Sequence, residues 1–421
     1  MARVIVERPV SARLSISHPV RGALDVGPRP ATVEQTSLRP GVKSAARVPD
    51  DFFGEHLGSP ARDSVRSPLK IAGTLTAALL VGACLAAPAG YAAAQPTAPS
   101  ASGGASVGTS DGATTDLLPT AVSLAAPPAA NVPVGARFTL KGTVSGDAGR
   151  MAALELSTPT GWRPLAQATT DADGAYALPL PTDWLYRGSL RLRVPATDAD
   201  DAATSATFGT ALVPSYDPQG AARDWGLTVP GVRWDPCAGP ISYKVNEAGV
   251  SDRRLAQLRQ ALRLVHEASG LEFSYAGTTT AVPYRTDGSS RTRSDAAFTI
   301  AFATGRQVRQ FRTDVVGLGG FVWRGNAIVH GLVSLDKGAR LKDSFGLGQT
   351  WGTLMLHELG HALGLAHAGG REQVMHSGIN SKSRGSYQAG DLTGLRREGA
   401  VGGCLPSTSA RAAAPQVVVS R

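Results

Sequence analysis

From about residue 117 the chain alternates apolar and polar positions in short runs. Examples are Ala136-Arg-Phe-Thr-Leu-Lys-Gly-Thr-Val, Ala153-Leu-Glu-Leu-Ser, Gly174-Ala-Tyr-Ala-Leu-Pro-Leu and Ser189-Leu-Arg-Leu-Arg-Val. Turn-forming clusters at Ser145-Gly-Asp, Thr160-Gly and Asp171-Ala-Asp-Gly separate them. Period-two runs broken by regular turns predict a small antiparallel β-sandwich over 117–213. After a connector at 214–230 the period changes. Ile241-Ser-Tyr-Lys-Val predicts a first strand, and Ser251 is placed to cap a helix whose Leu255, Leu258, Leu262 and Val265 share one face until Gly270 ends it. Strand-like runs follow at Leu271 to Tyr275, Ala296 to Ala303, Val315 to Trp323 and Ala327 to Leu335. A second helix is expected from about Leu347. This order predicts an α+β domain with one mixed sheet over 231–406, so the chain is multidomain. Residues 407–421 read as a disordered tail.

The first hundred residues pattern differently. Ile71-Ala-Gly-Thr-Leu-Thr-Ala-Ala-Leu-Leu-Val-Gly-Ala follows Arg66 and Lys70, and Tyr91-Ala-Ala-Ala-Gln95 supplies a small-residue cleavage site ending at Ala94. Basic start, short apolar run and A-x-A site predict a signal peptide over 65–94, too short for a membrane span. Residues 1–64 lack periodicity and read as a mis-annotated or disordered extension, with Val65 as the expected start. Residues 95–116, rich in Ser, Thr, Gly, Ala and Pro, read as a flexible linker. Export to the outside of a bacterial cell is the expectation. Val81-Gly-Ala-Cys84 also resembles a lipobox, and the alternative is a lipid anchor on Cys84.

Charge changes the picture little. The chain carries +9, part of it ahead of the cleavage site, and no dense basic patch interleaved with aromatics suggests nucleic-acid binding. Cysteine matters more. Cys237 and Cys404 are the pair left after export, and an oxidising compartment predicts a disulfide between them, against two buried free thiols.

The chemistry is concentrated in His357-Glu-Leu-Gly-His-Ala-Leu-Gly-Leu-Ala-His367, which fills every fixed position of H-E-x-x-H-x-x-G-x-x-H. His357 and His361 lie four apart, so their rings leave one helix face a turn apart, as two sites of a tetrahedral zinc require. Glu358 can reach a metal-bound water without binding the metal. Gly364 permits a positive φ that breaks the helix and brings His367 back as third ligand. The fourth position stays open, which marks a catalytic rather than a structural zinc.

These residues resemble the metzincin superfamily. Val374-Met375-His376-Ser377 resembles its Met-turn, in which Met375 would floor the metal site. Trp234-Asp-Pro-Cys237, Gly317-Leu-Gly-Gly-Phe-Val-Trp323 and Gly390-Asp-Leu-Thr-Gly-Leu395 are similar to the matrixin-type peptidases of actinobacteria, and the preceding sandwich is similar to immunoglobulin-like modules. Ala368 departs from the Ser or Thr usual after the third histidine, and Ser377 stands where some relatives place a tyrosine ligand. The resemblance implies a secreted endopeptidase that hydrolyses peptide bonds through a Glu358-assisted zinc-bound water, with one catalytic Zn2+. It also implies a protein or peptide substrate, added as a strand beside the run Ala327 to Leu335, with 376–387 walling the specificity pocket. His266 and His330 read as packed or surface residues. Calcium stays open, with Asp336, Asp343 and Asp391 weighed against a solvated role for each. A monomer is expected, with a cell-surface ligand for the sandwich left open. The competing reading is a non-catalytic extracellular binding protein with a vestigial zinc site; such a relic would be expected to lose Glu358 or a ligand, and none is lost.

Overall fold

The computed structural model describes residues 3–6, 117–288, 292–406 and 414–420. The expected signal peptide, the linker and Cys84 lie outside the described residues, as does all of the extension except 3–6, which form the strand β1 (Arg3–Val6).

The alternating region folds as predicted into short strands: β2 (Asn131–Pro133), β3 (Thr139–Thr143), β4 (Met151–Thr158), β5 (Gly161–Thr169), β6 (Ala175–Pro179), β7 (Arg187–Val194), β8 (Ala203–Thr204) and β9 (Phe208–Val213). One sheet has the order β2-β9-β7-β4-β5, with β8 on β7, and β3 pairs with β6 in a second. Leu154, Leu156, Leu190 and Leu192 of the first meet Leu140 and Leu178 of the second in one core, all fully buried. Each such leucine contributes about 1.5–3 kcal/mol on leaving water.

The second region contains β10 (Gly226–Leu227), β11 (Ile241–Asn246), α1 (Asp252–Ser269), β12 (Phe273–Thr278), β13 (Phe298–Ala303), β14 (Gly317–Arg324), β15 (Ala327–Asp336), α2 (Trp351–Ala362), β16 (Leu365–Ala366), α3 (Ala389–Glu398) and β17 (Gln416–Ser420). Its mixed sheet has the order β1-β17-β14-β15-β13-β11-β12. Only β14 runs against its neighbours. β13 sits mid-sheet with all six residues buried, so its run, apolar but for Thr299, reflects cover on both faces. The Ser251 side chain accepts from Arg254 N, and Gly270 ends α1 at φ 68°, both as the pattern predicted. Leu258, Leu262 and Val265 of α1 share a core with Trp351, Leu354 and Leu359 of α2.

Four expectations change. α2 begins at Trp351, not near Leu347, because Gly348 is left-handed and Thr350 caps the helix through Thr353 N. The connector is part of the fold: β10 pairs with β16, and Tyr216 Oη donates to the carbonyl of Tyr387. Residues 416–420 of the tail form a strand, since β14 had an edge to complete. The run Ala327 to Leu335 is not an edge, because β15 is hydrogen-bonded to β13 and to β14. Among the described residues no helix is long and apolar enough to cross a membrane.

Candidate metal centre and active-site cleft

α2 is buried along its whole length. It carries His357 and His361 on one face. Leu363 N and Gly364 N close the helix on the carbonyls of Leu359 and His361, and Gly364 then turns at φ 105°. β16 follows at once and is held by β10, while Thr228 N donates to Gly364 O and Thr228 Oγ1 to Leu365 O. The supposed connector therefore fixes the bend that returns His367.

The three rings converge. His361 Nε2 lies 3.0 Å from His357 Nε2 and 3.1 Å from His367 Nε2. His357 Nδ1 is 2.7 Å from Val374 O and His361 Nδ1 is 2.8 Å from Leu365 O. A carbonyl can only accept, so each Nδ1 carries the hydrogen and each facing Nε2 presents a lone pair. Nitrogen lone pairs this close repel one another unless a cation lies among them. The edge of a tetrahedral zinc–imidazole site is about 3.3 Å, so the set fits that ion. Burial pushes His357 down to about 4 and His361 well below the usual histidine range, helped by the neighbouring rings, so both stay neutral and able to bind metal. Among the described residues this is the one cluster of potential ligands.

Glu358 opens on a cleft of ≈ 440 Å³ lined by Val316, Gly317, Leu341, His357, Ser377 and Ile379. Burial pushes its carboxyl well above the ordinary range. Gly317 faces it: a Cβ there would stand 2.3 Å from Glu358 Oε1. Met375 is buried, and a Cβ on Gly360 would lie 2.3 Å from its sulfur. The thioether thus packs against α2 at Gly360, the residue before His361. Ser377, Gly378 and Ile379 line the cleft, matching part of the expected 376–387 wall, while Tyr387 is buried and donates to Leu356 O at 2.8 Å.

Several supporting residues escaped the sequence reading. Asp391 was a calcium or surface candidate, yet it is fully buried and accepts from Val374 N, Met375 N and Gln388 N. It holds the Met-turn to the start of α3. Its spacing from Gln388 was the available signal, since a carboxylate three residues past an N-cap can reach back to the cap amide. The other two candidates are engaged elsewhere, Asp343 with Arg254 and Asp336 with Gly338 N. Asp224 accepts from Gly369 N and Gly370 N just past His367. Trp234 Nε1 donates to Ala362 O, and Asp235 accepts from Cys237 N and Leu405 N. Cys237 and Cys404 are disulfide-bonded. His266 pairs with Asp183, and His330 Nδ1 is buried without a partner; neither joins the cluster.

Comparison with known proteins is consistent with this geometry. No curated protein matches the chain. A solved structure it resembles is titled "Biofilm associated protein - BSP domain", at 16% identity over 23% of this chain and 17% of that one, with a TM-score of 0.16. That likeness spans under a fifth of the other chain and bears no argument. Residues 240–397 match the Matrixin family model. That span contains α2, every histidine of the cluster and the turn at Met375, and over it the chain is similar to the matrixin family.

Proposed function

We propose that the chain is a secreted zinc endopeptidase in which His357, His361 and His367 hold the metal and Glu358 moves the proton. The observation that carries this reading is the convergence of three Nε2 atoms beside a buried carboxyl at the mouth of a cleft. Zinc, when bound, supplies Lewis-acid chemistry that polarises a carbonyl and acidifies water. Glu358, without an ion pair among the described residues, accepts a proton from the attacking water. As the C–N bond breaks it delivers that proton to the departing amine. Its burial raises its proton affinity, which suits a group that must both take and return a proton. Ser377, Gly378 and Ile379 face the side chain that follows the cut bond. The sandwich ahead of the domain is proposed as an immunoglobulin-like accessory module of a monomeric enzyme.

The test is zinc content and casein hydrolysis of the full chain beside Glu358→Ala. One zinc per chain is expected, with hydrolysis lost on chelation. The variant should keep its zinc and lose at least about 10²-fold in rate. Zinc bound with no hydrolysis of casein or a broad peptide library would turn the reading to a binding protein. A folded chain without zinc would overturn the ligand assignment.

A further inference from the structure

Between the sandwich and the matrixin-like domain lies a cavity of ≈ 270 Å³. Three segments wall it. The sandwich contributes Leu185 and Leu212, the segment after it Pro214 and Pro218, and α3 Ala389 and Leu392. The polar side chains of its lining are Arg187, Thr393 and Arg396. Strand and helix periods place both arginines here. On β7, Leu190, Leu192 and Val194 enter the sandwich core, so alternation turns Arg187 to the other face. On α3, Gly390, Asp391, Gly394 and Leu395 are buried. Ala389, Leu392, Thr393 and Arg396 follow the i, i+3, i+4, i+7 spacing of a second stripe, and that stripe lines the cavity with Arg187.

Neither guanidinium is matched by an acid. Among the described residues Arg187 and Arg396 make no ion pair and no side-chain hydrogen bond. Their neighbours differ: Arg397 lies over the Trp225 ring, and Arg191, on the same face as Arg187, is paired with Glu155. Arg396 is half-buried, and burial together with the nearby Arg187 pulls its proton affinity below the usual arginine range. Two like charges beside apolar walls repel, and a charge leaving water without a counter-charge costs free energy. An anion between them offsets both. Guanidinium groups hold a carboxylate through charge-assisted bonds, bidentate where the fork is free. The apolar walls suit an aliphatic body behind that head. The volume is roughly nine times the ≈ 30 Å³ of one water in the liquid, so it has room for about eight to ten non-hydrogen atoms.

We propose that this cavity is a binding site for an aliphatic carboxylate, held at its anionic end by Arg187 and Arg396 and along its chain by Leu185, Leu212 and Leu392. Arg187 belongs to the sandwich and Arg396 to the matrixin-like domain, so the bound anion ties the two together. The site shares no lining residue with the histidine cluster or its cleft, and its ligand is independent of the peptidase reading.

The experiment titrates sodium octanoate, which is within that size, into the full chain in a calorimeter at fixed ionic strength. Saturable binding of one ligand per chain is expected, with a Kd at or below about 1 mM. Octanol lacks the charge and acetate lacks the chain, and each should bind at least about tenfold more weakly. Arg187→Gln and Arg396→Gln should each weaken octanoate at least about tenfold. Neither arginine has a partner to lose, so both variants should keep the ligand-free melting temperature within about 2 °C of wild type. Octanoate should raise the melting temperature of the wild type more than that of either variant. N-acetylleucine carries the same head and apolar body as a peptide end. Binding of either carboxylate supports the site, and the tighter of the two names its source as a fatty acid or a chain terminus. No saturable binding of either up to about 10 mM, equal affinity for octanol, or full affinity in both variants overturns the site. The octanol and acetate arms use the wild type and stand even if a variant fails to fold. Titration needs neither metal nor hydrolysis, so its outcome is read apart from zinc content and casein cleavage.

Discussion

Asp391 decides how well the metal centre is supported, because three backbone amides on two segments converge on its carboxylate. Burial pushes its proton affinity up and the three N–H groups pull it down; the balance stands at about 6 against an ordinary 3.8. Its folded value thus exceeds its unfolded one. The stability it contributes is fully present below pH 3.8 and is lost as pH rises through about 6. The loss is on the order of 3 kcal/mol. Asp391→Asn removes the titration. The difference in unfolding free energy between wild type and variant should fall by that order between pH 4 and 6.5, read from urea midpoints. A flat difference would show that the amides, not burial, dominate. His357, Glu358 and His361 were legible as residues because their spacing carries the chemistry. Asp391 was not, because its role lies in which amides it meets.

At the level of elements, α2 works because small residues let its neighbours approach. Gly360 admits the Met375 sulfur, and Gly317 and Gly319 let β14 pass close to Glu358 and His361. Gly360→Ala sets two effects against each other. Helix propensity favours alanine by about 0.8–1 kcal/mol, and displacing the packed thioether costs about 1–3 kcal/mol. We expect net destabilisation by calorimetry and a weaker grip on zinc in a chelator competition, since Val374 O, adjacent to Met375, orients His357. A gain in melting temperature with unchanged zinc affinity would contradict the packing argument. The hydrophobic period predicted this helix, α1 and the strands to within a few residues. It could not rank the strands across the sheet, because alternation reports which face is buried and not which neighbour supplies the hydrogen bonds. The run Ala327 to Leu335, which the resemblance offered as the substrate's edge, is accordingly an interior strand.

Across the whole molecule, the sandwich and the matrixin-like domain share an interface. Trp184 is buried against Gly270, where a Cβ would come within 2.4 Å of its ring, and Ala400 joins the same core. Leu185 N donates to Glu267 O, Arg163 to Ala400 O, and Asp183 faces His266. The disulfide closes the matrixin-like domain beside this contact, with Thr158, Trp162 and Arg163 around it. Trp184→Ala should cost about 3–5 kcal/mol. It should also split a single thermal transition into two, one for each region. One unshifted transition would show that the interface carries no coupling.

The sequence by itself determined the candidate ligand set and the local elements. Ligand spacing, the breaking glycine and the apolar periods depend on residues within a turn or two of each other, and chain geometry alone relates them. Only the tertiary structure decided the support. Asp391 beneath the Met-turn, the 216–228 segment clamping the bend before His367, and the terminal valines completing β14 each join positions far apart in sequence. Buried amides and open strand edges must find partners, and which residues answer is settled by what the fold brings within reach.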